Sequence, residues 1–256
     1  MYHSIVSIGA YFTDTMIRTV MIITWTVLAT AVLATVTIIV SFFSTTGNGP
    51  HRVARVWAKS ILFVSGIDVT VNGLSNLRHD RSCVYMVNHQ SNFDIAVLQG
   101  CLPVQFRWLA KAELFKIPLL SRGMRGCGYI SIDRTNRQSA IASLGKAAET
   151  IKNGTSVLIF PEGTRSVDGK IKSFKKGGFV MTVDAGVPIV PVLIHGTWSI
   201  MPKKRALIRP RPVTLEILPP LDTTAYSRDT KNELMEMVRN VMCERFEKLE
   251  GEWACS

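Results

Sequence analysis

The chain has 256 residues, 47% hydrophobic and 19% charged, with a mean hydropathy of +0.20 and a net charge of +11. The apolar content excludes a disordered, charge-rich chain, and the length suits one domain with something attached to it. Five widely spaced cysteines (Cys83, Cys101, Cys127, Cys243, Cys255) without a CxxC pair exclude a disulfide scaffold and read as reduced thiols.

Residues 19–43 form a run of 25 without a charge. As a helix the run would be about 37 Å long, against a hydrocarbon core of about 30 Å. It lacks the basic leader and short apolar stretch of a signal peptide, and its polar residues are scattered Thr and Ser rather than a face. It therefore reads as a retained membrane segment. A single spanning helix is the first reading; a monotopic pair, with residues 4–18 lying at the interface as the other helix, is the alternative. His51, Arg52, Arg55 and Lys59 follow the run and only Arg18 closely precedes it, which puts the C-terminal body on the cytoplasmic side of the inner or plasma membrane. The expected organisation is an anchor over residues 1–50 and a catalytic domain over 51–256.

Residues 51–65 read as an amphipathic helix leaving the membrane. Residues 67–71 alternate like a strand and end at the turn signal Asn72-Gly73. A short apolar strand (82–87) precedes a polar cluster and a helix (95–101). Strands follow at 106–110 and, after RGCG, at 129–132. A helix over 137–153 stops at Gly154, and a buried strand occupies 156–160. A helix over 177–185 ends at Gly186. VPIVPVLIH (187–195) is a strand interrupted by prolines, which predicts an edge or bulged strand. A last strand (213–218) precedes a helix over 230–249 with a 3.6-residue apolar stripe. Strands alternating with helices predict an α/β fold, with a mixed, largely parallel sheet flanked by helices.

Four segments carry chemistry. NHQSNFD (88–94) puts His89 and Asp94 five positions apart at a strand-to-helix turn. They meet if His89 precedes the helix and Asp94 lies in its first turns, with Ser91 or Asn92 as N-cap. Asp94 would then fix the imidazole tautomer and leave the other nitrogen as a base, with the substrate's own hydroxyl as nucleophile. FPEGTRS (160–166) sets Glu162, Gly163 and Arg165 on a tight turn after a strand, at the sheet edge where open α/β folds bind ligands. Arg165 can hold a phosphate in a bidentate fork. GYISIDR (128–134) delivers Arg134, a second phosphate ligand, to another strand end. VPIVPV (187–192) alone says only that prolines interrupt a strand.

In this order the four segments resemble the glycerophospholipid acyltransferase family and, within it, the bacterial lysophosphatidic acid acyltransferases (1-acyl-sn-glycerol-3-phosphate acyltransferases). The likeness covers roughly residues 60–220 plus the apolar N-terminal run. It implies transfer of a fatty acyl group from a thioester to the sn-2 hydroxyl of 1-acyl-sn-glycerol 3-phosphate, making phosphatidic acid. It makes His89 the general base and Asp94 its orienter. Arg134 and Arg165 bind the glycerol phosphate, Glu162 and Gly163 belong to the acceptor site, and Lys111 in WLAKAELFKIP matches a lysine near the phosphate. The expected partners are membrane lipids, lysophosphatidic acid, and acyl-coenzyme A or acyl carrier protein as donor. No cofactor is implied beyond that co-substrate. The stabiliser of the tetrahedral oxyanion is not identified by the motif; backbone N–H groups near 89–92 are one expectation.

Other readings are another lyso-lipid acceptor, or a non-catalytic protein that binds anionic lipid. Residues 44–212 carry 24 basic and 9 acidic side chains, whereas 213–256 carry 5 and 9. That basic body, rich at Arg52, Lys170, Lys175, Arg205, Arg209 and Arg211, fits an anionic membrane surface. Nucleic acid is not an expected partner, because no binding motif for it is present. The five histidines lack ligand spacing, so no metal is expected.

Overall fold

The computed structural model describes the backbone of residues 2–250 and Cys255, and the side chains of residues 13–249 and Cys255. Helix α1 (Tyr2–Ser41) is continuous, so residues 4–18 are the start of the apolar helix and not a second, interfacial one. The helix paired with it is α2 (Asn48–Ser65), which returns antiparallel along it. Trp25 Nε1 donates to Ser60 Oγ at 3.2 Å, and Trp57 Nε1 donates to Thr30 Oγ1 at 3.0 Å. The threonines that interrupt the apolar run are satisfied within the helix. The hydroxyls of Thr19, Thr26, Thr30, Thr35 and Thr37 each donate to the carbonyl four residues earlier. One side of α1 (Ile22, Ala29, Ala34, Thr37) is buried against the body, while Val20, Val27, Val32 and Ile39 stand exposed. Helix α4 (Leu120–Gly126) presses on the same helix through Gly126, where a Cβ would lie 2.7 Å from the Ser41 side chain.

Seven strands form one sheet. They are β1 (Val69–Asn72), β2 (Val84–Val87), β3 (Phe106–Lys111), β4 (Ile130–Ile132), β5 (Ser156–Ile159), β6 (Ile189–His195) and β7 (Val213–Ile217). The order is β1-β7-β6-β2-β5-β3-β4, parallel except for the β6–β7 pair. Alternation divides the core in two. Tyr85 and Val87 of β2 pack toward α2 and α3 (Phe93–Cys101). Val84 and Met86 pack toward α5 (Arg137–Lys152), α6 (Lys176–Ala185) and α8 (Lys231–Glu250). Both faces are covered, so the mixed α/β fold follows. Helix starts and stops match local chemistry: Asn136 Oδ1 caps α5 through Ser139 N–H, and Gly186 ends α6 at φ 67°.

Two expectations need correction. Strand β6 is central and buried, not an edge. Its Pro191 turns its backbone polar groups toward the β7 side, beyond the last paired residue of β7. There its carbonyl accepts the Leu218 N–H at 2.9 Å; the return N–H is the one that proline lacks, and the β6–β7 pairing begins at the next residue, Val192. The cysteines are also not all thiols. Cys243 on α8 is bonded to Cys255, while Cys83, Cys101 and Cys127 are free.

Candidate active site

The parallel strands β6, β2, β5, β3 and β4 end on one edge of the sheet, and each expected site residue follows or closes one of them. His89 follows β2, Glu162 and Gly163 follow β5, Lys111 closes β3, and Arg134 follows β4.

His89 and Asp94 do meet. His89 Nδ1 lies 2.7 Å from Asp94 Oδ2, and the same oxygen accepts the backbone N–H of Gln90 (2.7 Å) and Ser91 (2.9 Å). Thr197 Oγ1 donates to the other oxygen, Oδ1, at 2.5 Å. Asp94 is fully buried. A carboxylate accepting four hydrogen bonds is held as an acceptor, so the proton between the pair belongs to His89 Nδ1 and the lone pair to Nε2. The imidazole ring stacks on Phe160, with centroids 3.8 Å apart and planes 11° apart. Its side chain is 16% exposed, in contrast to the fully buried Asp94.

Glu162 is nearly as buried, at 2%, and braces the same turn. Its Oε1 accepts the His89 N–H at 2.7 Å and its Oε2 accepts the Lys172 N–H at 3.0 Å. Burial pushes the Glu162 carboxyl up to about 7, against the pull of those two N–H groups. The His89 carbonyl in turn accepts the Ser166 N–H at 2.7 Å. The two motifs are thus laced together by main-chain bonds. Gly163, at φ 73°, makes the turn that lets them approach.

The N–H groups of His89, Gln90 and Ser91 are therefore occupied by carboxylates. This takes those three out of the N–H groups near 89–92 expected to stabilise an oxyanion. The cap expectation also shifts: the Asn92 side chain makes no cap bond, and Ser91 Oγ accepts the Phe93 N–H at 3.3 Å.

The cationic residues are less tightly held. Arg134 is exposed and donates through Nη1 to the Gly163 carbonyl. Arg165 is half-buried, and its guanidinium makes no hydrogen bond or ion pair among the described residues. Lys111 stands apart, paired with Glu113 at 2.9 Å. Sequence reasoning missed Thr197, the first residue of α7 (Thr197–Ile200), and the bracing role of Glu162 toward the histidine. The segment IHGT draws attention to His195, whose ring instead packs edge-on against Phe246, 6.0 Å away.

A family model described as Acyltransferase matches residues 68–195, half of the chain. The chloroplastic 1-acyl-sn-glycerol-3-phosphate acyltransferase BAT2 of Brassica napus is 39% identical over 153 residues, 59% of this chain and 44% of that protein. The enzyme of that name from Saccharomyces cerevisiae is 32% identical over 77% of this chain and 65% of its own length. The one from Borreliella burgdorferi is 29% identical over 76% and 78%. The chain thus spans about half the length of the first of the curated relatives it matches. Among solved structures, the 1-acyl-sn-glycerophosphate acyltransferase PlsC of Thermotoga maritima superposes with a TM-score of 0.82 at 30% identity. That superposition covers 94% of this chain and 98% of that one.

Proposed function

The chain belongs to the acyltransferase family, and we propose that it moves a fatty acyl group from an acyl thioester to the sn-2 hydroxyl of 1-acyl-sn-glycerol 3-phosphate, making phosphatidic acid. The observation that carries this reading is the buried His89–Asp94 pair, with Nε2 left as base on a sheet edge that also bears Arg134 and Arg165. The acceptor hydroxyl gives its proton to Nε2 as its oxygen attacks the thioester carbonyl. Asp94 steadies the imidazolium that forms. When the tetrahedral centre collapses, the C–S bond breaks and the leaving thiolate takes the proton back from Nε2. Ester and thiol are the products, and no metal or prosthetic group is called for.

The guanidinium of Arg165, without a partner among the described residues, can fork onto the acceptor phosphate, and Arg134 bonds the Gly163 carbonyl on the same turn. Lys111 enters this reading only as a third cation on the same edge. Helix α1 supports attachment to the membrane in which the acceptor lives. Because α2 and α4 dock along it, the reading favours a helix lying against one leaflet over a free stalk crossing both. The basic excess of residues 44–212 supports the cytoplasmic face of the inner or plasma membrane, where acyl-coenzyme A or acyl carrier protein would be the donor.

The test is turnover of labelled thioester on lysophosphatidate by the membrane fraction, run with a chelator present and repeated with His89→Ala. The wild type should form phosphatidic acid, and the variant should be at least about a thousandfold slower yet equally membrane-bound. Retained activity in His89→Ala, or brisk use of a different lyso-lipid only, would overturn the assignment.

A further inference from the structure

The segment joining α7 to β7 is pinned at three points. Ser91 Oγ donates to the Met201 carbonyl at 3.0 Å. Lys203 Nζ donates to Thr164 Oγ1 at 2.9 Å and to the Arg165 carbonyl at 3.3 Å. The Ile208 N–H donates to Thr19 Oγ1 on α1 at 3.0 Å. Over these pins lies an open cavity of about 740 Å³, lined by Trp198, Leu207, Arg205, Arg209 and Arg211 among others. None of His89, Asp94, Glu162 or Arg165 lines it, and among the described residues neither does any carboxylate.

Several arginines elsewhere are held by the protein itself. Arg228 is paired with Asp184, Arg245 with Glu216, and Arg55 holds the carbonyls of Leu102 and Val104. The guanidinium groups of Arg205, Arg209 and Arg211 make no hydrogen bond or ion pair among the described residues. Three like charges sharing one cleft without a carboxylate raise the local potential and call for an anion from outside. Guanidinium forks suit phosphate oxygens.

The position of the cleft narrows the source of that phosphate. Thr19, to which the segment is tied, is the residue at which the charge-free run of α1 begins. The exposed Asp14–Arg18 ion pair lies within a turn or so before Thr19 and marks a charged level on α1, where basic side chains meet lipid phosphates. Trp198 and Leu207 add the amphipathic and apolar contacts that such a boundary favours.

We propose that the cleft lined by Trp198, Arg205, Leu207, Arg209 and Arg211 binds the phosphate headgroup of an anionic membrane phospholipid, at a site separate from that of the reacting acceptor. It rests on the reading that α1 attaches the protein to a bilayer. The headgroup seats the enzyme in one orientation, and the pins at Met201 and Lys203 tie that seat to the turns that carry His89 and Arg165.

The experiment floats the full-length protein with phosphatidylcholine vesicles, with and without phosphatidylglycerol. The wild type should bind both, and more tightly to the anionic ones. Each basic residue near an anionic surface is worth about fivefold in partition. Arg209→Gln should therefore lose about fivefold of the anionic gain, and Arg205→Gln/Arg209→Gln/Arg211→Gln on the order of a hundredfold. Arg137→Gln/Lys146→Gln/Lys152→Gln on α5, matched in charge, should stay within about twofold of wild type. The KM for lysophosphatidate in detergent should be unchanged in every variant. Equal losses in the two triple variants would reduce the effect to bulk charge and overturn the site. A raised KM for the thioester donor, with weaker competitive inhibition by free coenzyme A and with vesicle binding intact, would give the cleft to the donor's phosphates instead. Failure of the wild type to bind either vesicle would overturn the attachment reading, and this one with it.

Discussion

The two halves of the candidate site are built in opposite ways. Around His89 nearly every polar atom has a partner within the protein: Asp94 accepts four hydrogen bonds, Glu162 accepts two, and Phe160 backs the ring. Around the cations the partners are few. Arg134 makes one contact, the Arg165 guanidinium makes none among the described residues, and Lys111 is turned to a neighbouring carboxylate. The difference matches what each half must do. A base works only at one angle and in one tautomer, so its surroundings are fixed before substrate arrives. A phosphate brings its own charge and completes the cation cluster when it binds, and cations already neutralised by carboxylates would hold it poorly.

That contrast predicts losses in kcat on one side and in KM on the other. The largest loss belongs to Asp94→Asn. His89 Nδ1 and the Gln90 and Ser91 N–H groups all meet Oδ2, so the amide either turns its NH₂ to Thr197 and offers them only a neutral oxygen that steadies an imidazolium poorly, or presents the NH₂ to all three and favours the wrong tautomer. A fall in kcat of about 10³ to 10⁴ is expected, with lysophosphatidate KM nearly constant. A variant that kept a tenth of its activity would show that the pairing is structural only.

Thr197→Val comes next. It keeps the shape and removes the one donor to Asp94 Oδ1, leaving a buried acceptor bare. The loss of about 1–3 kcal/mol should appear as a fall in kcat of roughly ten- to a hundredfold, shared with a small loss of stability. Thr197→Ser, which retains the hydroxyl, should recover most of it. Loss of stability alone, with kcat untouched, would remove Thr197 from the positioning group.

Thr197 also marks where the sequence stops being legible. Local pattern suffices for most elements, for the α/β class and for the His89–Asp94 meeting, because a five-residue turn is decided by its own residues. The Thr197 contact joins residues 103 positions apart, and it exists because β6 lies beside β2 in the sheet. The prolines of VPIVPV argue for an edge strand by local rules. In the sheet, Pro191 sits where the β6–β7 pairing begins, so its missing N–H falls at the end of that ladder and not within it. The oxyanion expectation narrows for a related reason: the N–H groups of His89, Gln90 and Ser91, which look free in the sequence, are occupied by Glu162 from the neighbouring strand end and by Asp94 itself. The pairing of α1 with α2, likewise, is carried by Trp25 and Trp57, whose partners no hydropathy pattern reveals.

On the open side of the site the effects are smaller and fall in KM. Arg165→Ala removes the unpartnered guanidinium and should raise the lysophosphatidate KM by about ten- to a hundredfold with little change in kcat. Arg134→Ala should cost less, because that side chain is exposed and already bonded to the Gly163 carbonyl. If either substitution instead lowered kcat as strongly as Thr197→Val, the division between a fixed base and an open cation cluster would not hold.

The smallest effect is on stability, and it separates the two halves by pH. Burial raises the Glu162 carboxyl to about 7 in the folded protein, from an ordinary 4.5. The folded state thus holds this proton more tightly than the unfolded chain. Its stabilising contribution is full below about pH 4.5 and is lost as the pH rises through about 7, roughly 3 kcal/mol at the outside. Glu162→Gln cannot titrate. The wild-type melting temperature minus that of the variant should therefore fall by several degrees between about pH 5 and about pH 7.5. The exposed Arg134→Ala should show no such trend. A difference that rose with pH would mean that the N–H groups of His89 and Lys172 outweigh burial, and that Glu162 braces the histidine as a carboxylate across the whole range.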